Sequence, residues 1–307
     1  MINIRDTFIK LTSMTYPSGT EDDVIKLLSE FKFKKDNFDN YYIIVERDNG
    51  EKLDTMFTCH LDTYGKYYDK KVDVVHRFDG DFIKTDSMSI LGADDKAGMT
   101  IMLNMISHGV PGLYYFFVGE ETGRIGSGYL SLNFNHFLLI NDIKINKCVS
   151  FDRREYDKIT TKQSNKICCS DQFAQELCDK LNEYGFWYKI DNNGGRTDSH
   201  EFVDIIPECT NISVGYFNEH TYNEKQDIEF LEFLSAVCVD LNWDELGIYR
   251  NIDKNTTDVD HYTDNDNFDI YATTEINYNR IKNDYDDDFD FDKWYNEQKD
   301  KKITLHI

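Results

Sequence analysis

Five places along the chain carry side chains that bind cations or move protons: His60-Leu61-Asp62, Asp94-Asp95, Glu120-Glu121, Asp152 and His220. Two imidazoles with several carboxylates form a mixed nitrogen and oxygen donor set, suited to zinc, cobalt or manganese. His60 and Asp62 stand two residues apart, so on an extended chain they share one side. A carboxylate placed there can orient an imidazole that binds a cation. Each segment by itself also has an ordinary reading. His60 and Asp62 could be a surface pair, Glu120-Glu121 a solvated turn, and His220 an exposed loop residue. Asp94-Asp95 could cap a helix beside the positive end of its dipole. Asp152 could pair with Arg153 or Arg154. Their joint occurrence, in the order His, Asp, Glu, Asp, His, points to one centre.

Such a centre needs elements that bring distant residues together. Thr55–Cys59, Leu113–Val118, Cys148–Phe151 and Asn211–Tyr216 are short, apolar and rich in β-branched and aromatic residues, as buried strands are. Between and before them lie helical patterns. One is residues 22–31, with a start at Thr20. The others are Lys96–Ser107, Phe173–Tyr184 and Ile228–Asn242. Strands alternating with helices predict an α/β fold, a central mixed sheet with helices on both faces. Every one of the four strands ends in, or shortly before, a candidate ligand: His60 and Asp62, Glu120 and Glu121, Asp152, and His220. In open α/β sheets, ligands bind outside the carboxyl ends of the strands. Asp94, at the mouth of a helix, can join them.

The motifs resemble those of the two-zinc exopeptidase superfamily, which includes zinc aminopeptidases and peptidase T. The resemblance is carried by His60-Leu61-Asp62, Gly92-Ala93-Asp94-Asp95-Lys96-Ala97-Gly98, Glu120-Glu121, Asp152 and His220. Leu91–Gly98 is especially similar to the tripeptidase form. Ser18-Gly19-Thr20-Glu21 and Gly194-Gly195-Arg196-Thr197-Asp198 resemble further recurring segments. The resemblance implies two divalent metals, expected to be Zn2+, with Co2+ or Mn2+ as alternatives. Asp94 would bridge them. His60 and Asp152 would complete one coordination sphere, Glu121 and His220 the other. Glu120 would be the general base, and Asp62 would orient His60. The implied activity is hydrolysis of peptide amide bonds, foremost as an aminopeptidase. A carboxypeptidase or N-acyl amide deacylase on the same framework is the alternative, and a non-catalytic binding protein that kept the fold is a rival of another class. Arg153, Arg196 and Asp198 are candidates to hold a substrate terminus, Arg for a carboxylate and Asp for an ammonium. A salt bridge among themselves is the other reading.

The spacing bears on the subgroup. Thirty-four positions separate His60 from Asp94, and forty-two separate Asp152 from Gly194. Neither interval holds the large inserted domain or lid of some relatives, so a lidless catalytic core is expected.

Composition narrows the class further. Of 307 residues, 57 are Asp or Glu and 34 Lys or Arg, giving a net charge of −23. That excess argues against nucleic acid and against anionic membranes as partners. The expected partner is a peptide or small amide substrate. The 40% hydrophobic content suffices for a sizeable core. No apolar run reaches the length of a membrane span. The opening residues lack a secretory pattern, and seven cysteines follow no disulfide framework. A cytoplasmic setting is therefore expected. Composition shifts near residue 250. Residues 251–307 hold 15 acidic and 7 basic residues with no Gly or Pro. The expected organisation is a catalytic domain over 1–250 and an acidic C-terminal extension over 251–307.

Overall fold

The computed structural model describes residues 2–65 and 70–252. The acidic extension expected from the sequence lies outside these residues from position 253 onward. Six helices occur among the described residues: α1 (Ile4–Leu11), α2 (Glu21–Lys26), α3 (Ala93–Ser107), α4 (Ile125–Asn141), α5 (Asp171–Glu183) and α6 (Ile228–Asp240). The strands are β1 (Lys34–Lys35), β2 (Tyr41–Val45), β3 (Thr55–His60), β4 (His76–Asp79), β5 (Phe82–Thr85), β6 (Gly112–Phe117) and β7 (Lys147–Arg153). They continue with β8 (Lys158–Thr160), β9 (Lys162–Gln163), β10 (Lys166–Ile167), β11 (Lys189–Asp191), β12 (Glu208–Ser213), β13 (Tyr216–Phe217) and β14 (Lys225–Asp227).

Eight strands form the central mixed sheet in the order β1-β2-β6-β3-β7-β12-β8-β11. The middle four, β6, β3, β7 and β12, run parallel, with His60 beside Phe117 and Cys209 beside Cys148. All residues of β3, β6 and β12 are buried, which is why they read as continuous apolar runs. Side chains alternate between two cores. Phe57, Tyr114, Phe116, Val149 and Phe151 face one. Met56, Leu113, Tyr115, Phe117 and Cys148 face the other. Helices α1, α3, α5 and α6 cover the first face. Helix α4 and the short 3₁₀ turn Asp198–Phe202 cover the second. The expected α/β sheet with helices on both faces is therefore present. Four more strands, β13-β14-β5-β4, form a small antiparallel sheet beside it. The interval from Asp152 to Gly194 folds into α5 and strands β8 to β11, two of which join the central sheet. It forms no separate lid.

Two boundaries differ from expectation for local reasons. Strand β12 runs from Glu208 to Ser213 instead of 211–216, because Gly215 adopts φ 87° and turns the chain into β13. Helix α2 ends at Lys26, and hydrogen-bonded turns carry the rest of the predicted stripe. Helix α4 was not predicted. It begins after Arg124 with no side-chain cap, and Gly126 and Gly128 occupy its first turn and the start of its second, so the start signals are missing.

Helix α3 is buried along nearly its whole length and delivers Asp94 to the sheet edge. Gly98 allows that approach. A Cβ there would lie 2.5 Å from the Phe151 carbonyl oxygen and 2.6 Å from Asp95 Oδ1. Neither can move without shifting β7 or the Asp94-Asp95 turn. Gly98→Ala is therefore expected to lower stability by about 1–3 kcal/mol, the usual range for overpacking. Urea unfolding monitored by circular dichroism would read it, and an unchanged midpoint would remove Gly98 from this role.

Candidate metal centre

The parallel strands converge as the sequence pattern requires. His60 is the last residue of β3, Asp152 lies near the end of β7, and Glu120-Glu121 follow β6 after Gly119. Asp94 opens α3 in a non-helical conformation, φ −76° and ψ 104°. The peptide between Asp94 and Asp95 is cis. His220 arrives differently from expectation. It sits in the loop between β13 and β14 of the small sheet, at φ 62°, and its ring stacks on Tyr64 with centroids 4.1 Å apart.

These residues form two donor groups that share Asp94: His60, Asp94 and Asp152 in one, and Asp94, Glu121 and His220 in the other. Within each group the donor atoms lie within 4.8 Å of one another. Asp94 Oδ1 lies 2.9 Å from His60 Nε2, while Asp94 Oδ2 lies 3.2 Å from His220 Nε2. His60 Nε2 is 3.7 Å from Asp152 Oδ1, and His220 Nε2 is 2.9 Å from Glu121 Oε1. That last pair is informative. Glu121 Oε1 and His220 Nε2 are both buried and without a hydrogen-bond partner, although they are this close. Two donors that approach without hydrogen-bond geometry fit a common cation better than they fit each other. Nitrogen and carboxylate oxygen are ordinary ligands for zinc. The residues therefore fit two divalent cations.

Around the donors is a supporting layer. Asp62 is fully buried, and its Oδ1 lies 3.4 Å from His60 Nδ1. Its carboxylate also accepts the backbone N–H groups of Glu120 at 3.0 Å and Glu121 at 3.1 Å, and the Ser18 hydroxyl at 2.5 Å. One carboxylate thus fixes the imidazole and the two-glutamate turn together. Thr197 donates to Asp152 Oδ2, and the Tyr216 hydroxyl donates to Asp152 Oδ1 at 3.2 Å. Lys96, buried beneath the turn, donates to the Leu61 carbonyl at 2.7 Å. Glu224 accepts the N–H groups of Leu91, Gly92 and Asp94 and so holds the loop before α3. Nothing in the sequence pattern singled out Glu224, because its work is done on backbone groups that a motif does not display. Glu120 belongs to neither donor group, and burial pushes its carboxyl well above the usual range.

The remaining candidates lie as follows. Asp198 is buried next to the centre, and burial raises its carboxyl to about 8. Arg153 pairs with Asp191, and Arg196 Nε lies 3.3 Å from Ser164 Oγ.

Three groups at or beside the centre hold their protons more tightly in the folded metal-free protein. Burial raises Glu121 to about 7 and Glu224 to about 8. For His220 burial acts downward, but Asp94 and Glu121 outweigh it and lift the imidazole to about 11. Each group holds a proton in the folded state that the unfolded chain has released, the carboxylates from about pH 4.5 to 8 and the imidazole from about 6.5 to 11. Stability then falls as pH rises through those windows. The thermal midpoint of metal-free protein is expected to drop between pH 6 and 9. Metal must displace the protons of Glu121 and His220, so the gain in midpoint on adding zinc should grow over the same range. Scanning fluorimetry across pH checks both trends, and a metal-free midpoint that climbs with pH would contradict them.

Comparison with solved structures decides the fold. The chain superposes on the PepT aminopeptidase of Bacillus cereus with a TM-score of 0.62 at 15% identity, covering 77% of this chain and 96% of that one. A tripeptidase of Staphylococcus aureus gives a TM-score of 0.61 at 17% identity, covering 78% and 98%. The fold is that of these peptidases. The TET1 peptidase of Pyrococcus horikoshii, which assembles into a tetrahedron or an octahedral shell, is a third match, with a TM-score of 0.60 at 16% identity over 77% and 98% of the two chains. By sequence the chain matches no protein-family profile and no curated protein. The resemblance read from the motifs thus holds for the peptidase fold. Among the described residues no helix is long and apolar enough to cross a membrane.

Proposed function

We propose that the chain is a metal-dependent exopeptidase that cleaves amide bonds of short peptides, acting foremost as an aminopeptidase. The observation that carries this reading is the pair of donor groups sharing Asp94, with Glu120 beside them and in neither. Two divalent cations, Zn2+ first among the candidates, would lower the pKa of a water and polarise the scissile carbonyl. His60, Asp94 and Asp152 would hold one, and Asp94, Glu121 and His220 the other.

The protein's own residues do the rest. Glu120 is positioned by the hydrogen bond from its N–H to Asp62. Because its carboxylate is not committed as a ligand, it can accept the proton of the attacking water and deliver it to the leaving amine. Its burial favours the protonated form, which suits the second step. Asp62 keeps the His60 imidazole in one orientation through its Oδ1 and main-chain oxygen, the latter 3.1 Å from Nδ1. The excess of carboxylates around the centre favours a substrate with a free α-amino group nearby. The seven buried free thiols fit a reducing compartment such as the cytoplasm.

Metal content by emission spectroscopy, paired with a panel of aminoacyl and N-acyl amides, tests the proposal. Two metals per chain and cleavage of substrates with free amino groups are expected. Cleavage of N-acyl amides alone would make the protein a deacylase. Metal binding without hydrolysis of any amide would make it a binding protein.

A further inference from the structure

We infer that Arg124 binds a carboxylate of the substrate close to the cleaved bond. This rests on the peptide hydrolysis proposed above and names the substrate that the same site takes. Arg124 closes the turn that carries both glutamates. Its N–H donates to the Glu120 carbonyl at 2.9 Å, and its own carbonyl accepts from Gly128 at 2.9 Å. Its backbone lies in the left-handed region at φ 59°, a conformation uncommon for a side chain of this size. The side chain is anchored at one point, where Nε donates to Glu201 Oε1 at 2.9 Å and Glu201 is itself only 4% exposed.

A guanidinium has five N–H donors, and this anchor uses one. Among the described residues Nη1 and Nη2 make no hydrogen bond, and neither is sealed from solvent. The group's outer edge therefore offers a planar fork, which matches a carboxylate in two parallel hydrogen bonds. The neighbouring cations have other partners. Lys96 serves the Leu61 and Asp62 carbonyls, and Arg153 is paired with Asp191. Burial works against the charge on Arg124, but Glu201, Glu120 and Asp198 outweigh it and keep the guanidinium protonated. An extended peptide advances about 3.3–3.6 Å per residue. A carboxylate that reaches Arg124 while the cleaved bond lies at Glu120 belongs to a residue at that bond or the next one along. It is either the C-terminus of a very short peptide or an Asp or Glu side chain.

Two substrate pairs separate these sources on the metal-loaded wild-type enzyme. The first is Ala-Ala-Ala and its C-terminal amide. The second is Ala-Asp-Ala amide and Ala-Asn-Ala amide. In one pair the acid should show a KM lower by roughly ten- to a hundred-fold, the scale of a charge-assisted fork, with a smaller change in kcat. Arg124→Gln should erase that preference, and Arg124→Lys should keep part of it. Because Arg124→Gln removes the guanidinium that meets the buried Glu201, the double variant Arg124→Gln/Glu201→Gln guards against misfolding. The wild-type comparison needs no variant at all. Calorimetric binding of the same acid and amide pairs to metal-loaded Glu120→Gln protein gives a second readout that does not depend on turnover. Equal KM and equal binding for acid and neutral partners in both pairs would overturn the inference, as would an Arg124→Gln loss that is the same for both. If no peptide is cleaved, the proposed activity fails, and the binding comparison still decides the role of Arg124.

Discussion

Glu120→Gln is expected to keep two metals per chain and to lose most of its hydrolytic rate. The substitution preserves size and removes the proton acceptor. A positioned base contributes about 10²–10⁴ in rate, or about 3–5 kcal/mol. Its backbone hydrogen bond to Asp62 is untouched, so the turn should stay in place. The neighbouring Glu121→Gln should behave differently. It replaces a charged donor beside His220 with a neutral amide, so metal affinity on that side should fall and excess metal should partly restore activity. Metal analysis and steady-state kinetics on both variants read the contrast. If Glu120→Gln loses metal while Glu121→Gln keeps it, the two roles are exchanged. If neither alters hydrolysis, the carboxylates do not share a reaction centre.

Asp94→Ala should have the broadest effect, the loss of both metals. The two oxygens of Asp94 face different imidazoles, His60 at 2.9 Å and His220 at 3.2 Å. Among the described residues no other belongs to both donor groups. Removing it also leaves the two imidazoles without the carboxylate between them. Activity should fall at least as far as in Glu120→Gln, and added metal should not restore it. Emission spectroscopy after dialysis, with circular dichroism as a check on folding, measures the outcome. Two tightly held metals in this variant would remove Asp94 from the bridging position.

Much of this candidate centre was legible because its candidate ligands follow strands. Thr55–Cys59 and Cys148–Phe151 are buried on both faces, and such strands announce themselves as apolar runs whatever covers them. Once their ends are fixed, the next polar residue is a candidate ligand. His220 was found by the same logic although the structure carries it differently. Gly215 breaks the strand early, and the chain crosses the small sheet before it returns. That sheet was not foreseen. Its strands are two to four residues long, too short for an alternating pattern to rise above its surroundings. Helix α4 was hidden for the opposite reason, having length but no start signal. The roles of Glu224 and Arg124 were also unreadable. Glu224 acts on main-chain N–H groups, and Arg124 depends on Glu201, seventy-seven positions away.

The Ser18 hydroxyl bond to Asp62 has a partner in Glu21, whose carboxylate accepts the N–H of Gly119 at 3.2 Å and that of Gly19 at 2.7 Å. Both tie the start of α2 and the residues just before it to the turn that carries Glu120 and Glu121. The candidate ligands span only residues 60 to 220, yet the contacts that hold the two-glutamate turn begin well upstream of them. A fragment trimmed to the ligand-bearing span would keep every donor atom and lose the buttress that aims two of the carboxylates. The two-glutamate turn is therefore held from the amino-terminal side by residues that lie outside both donor groups.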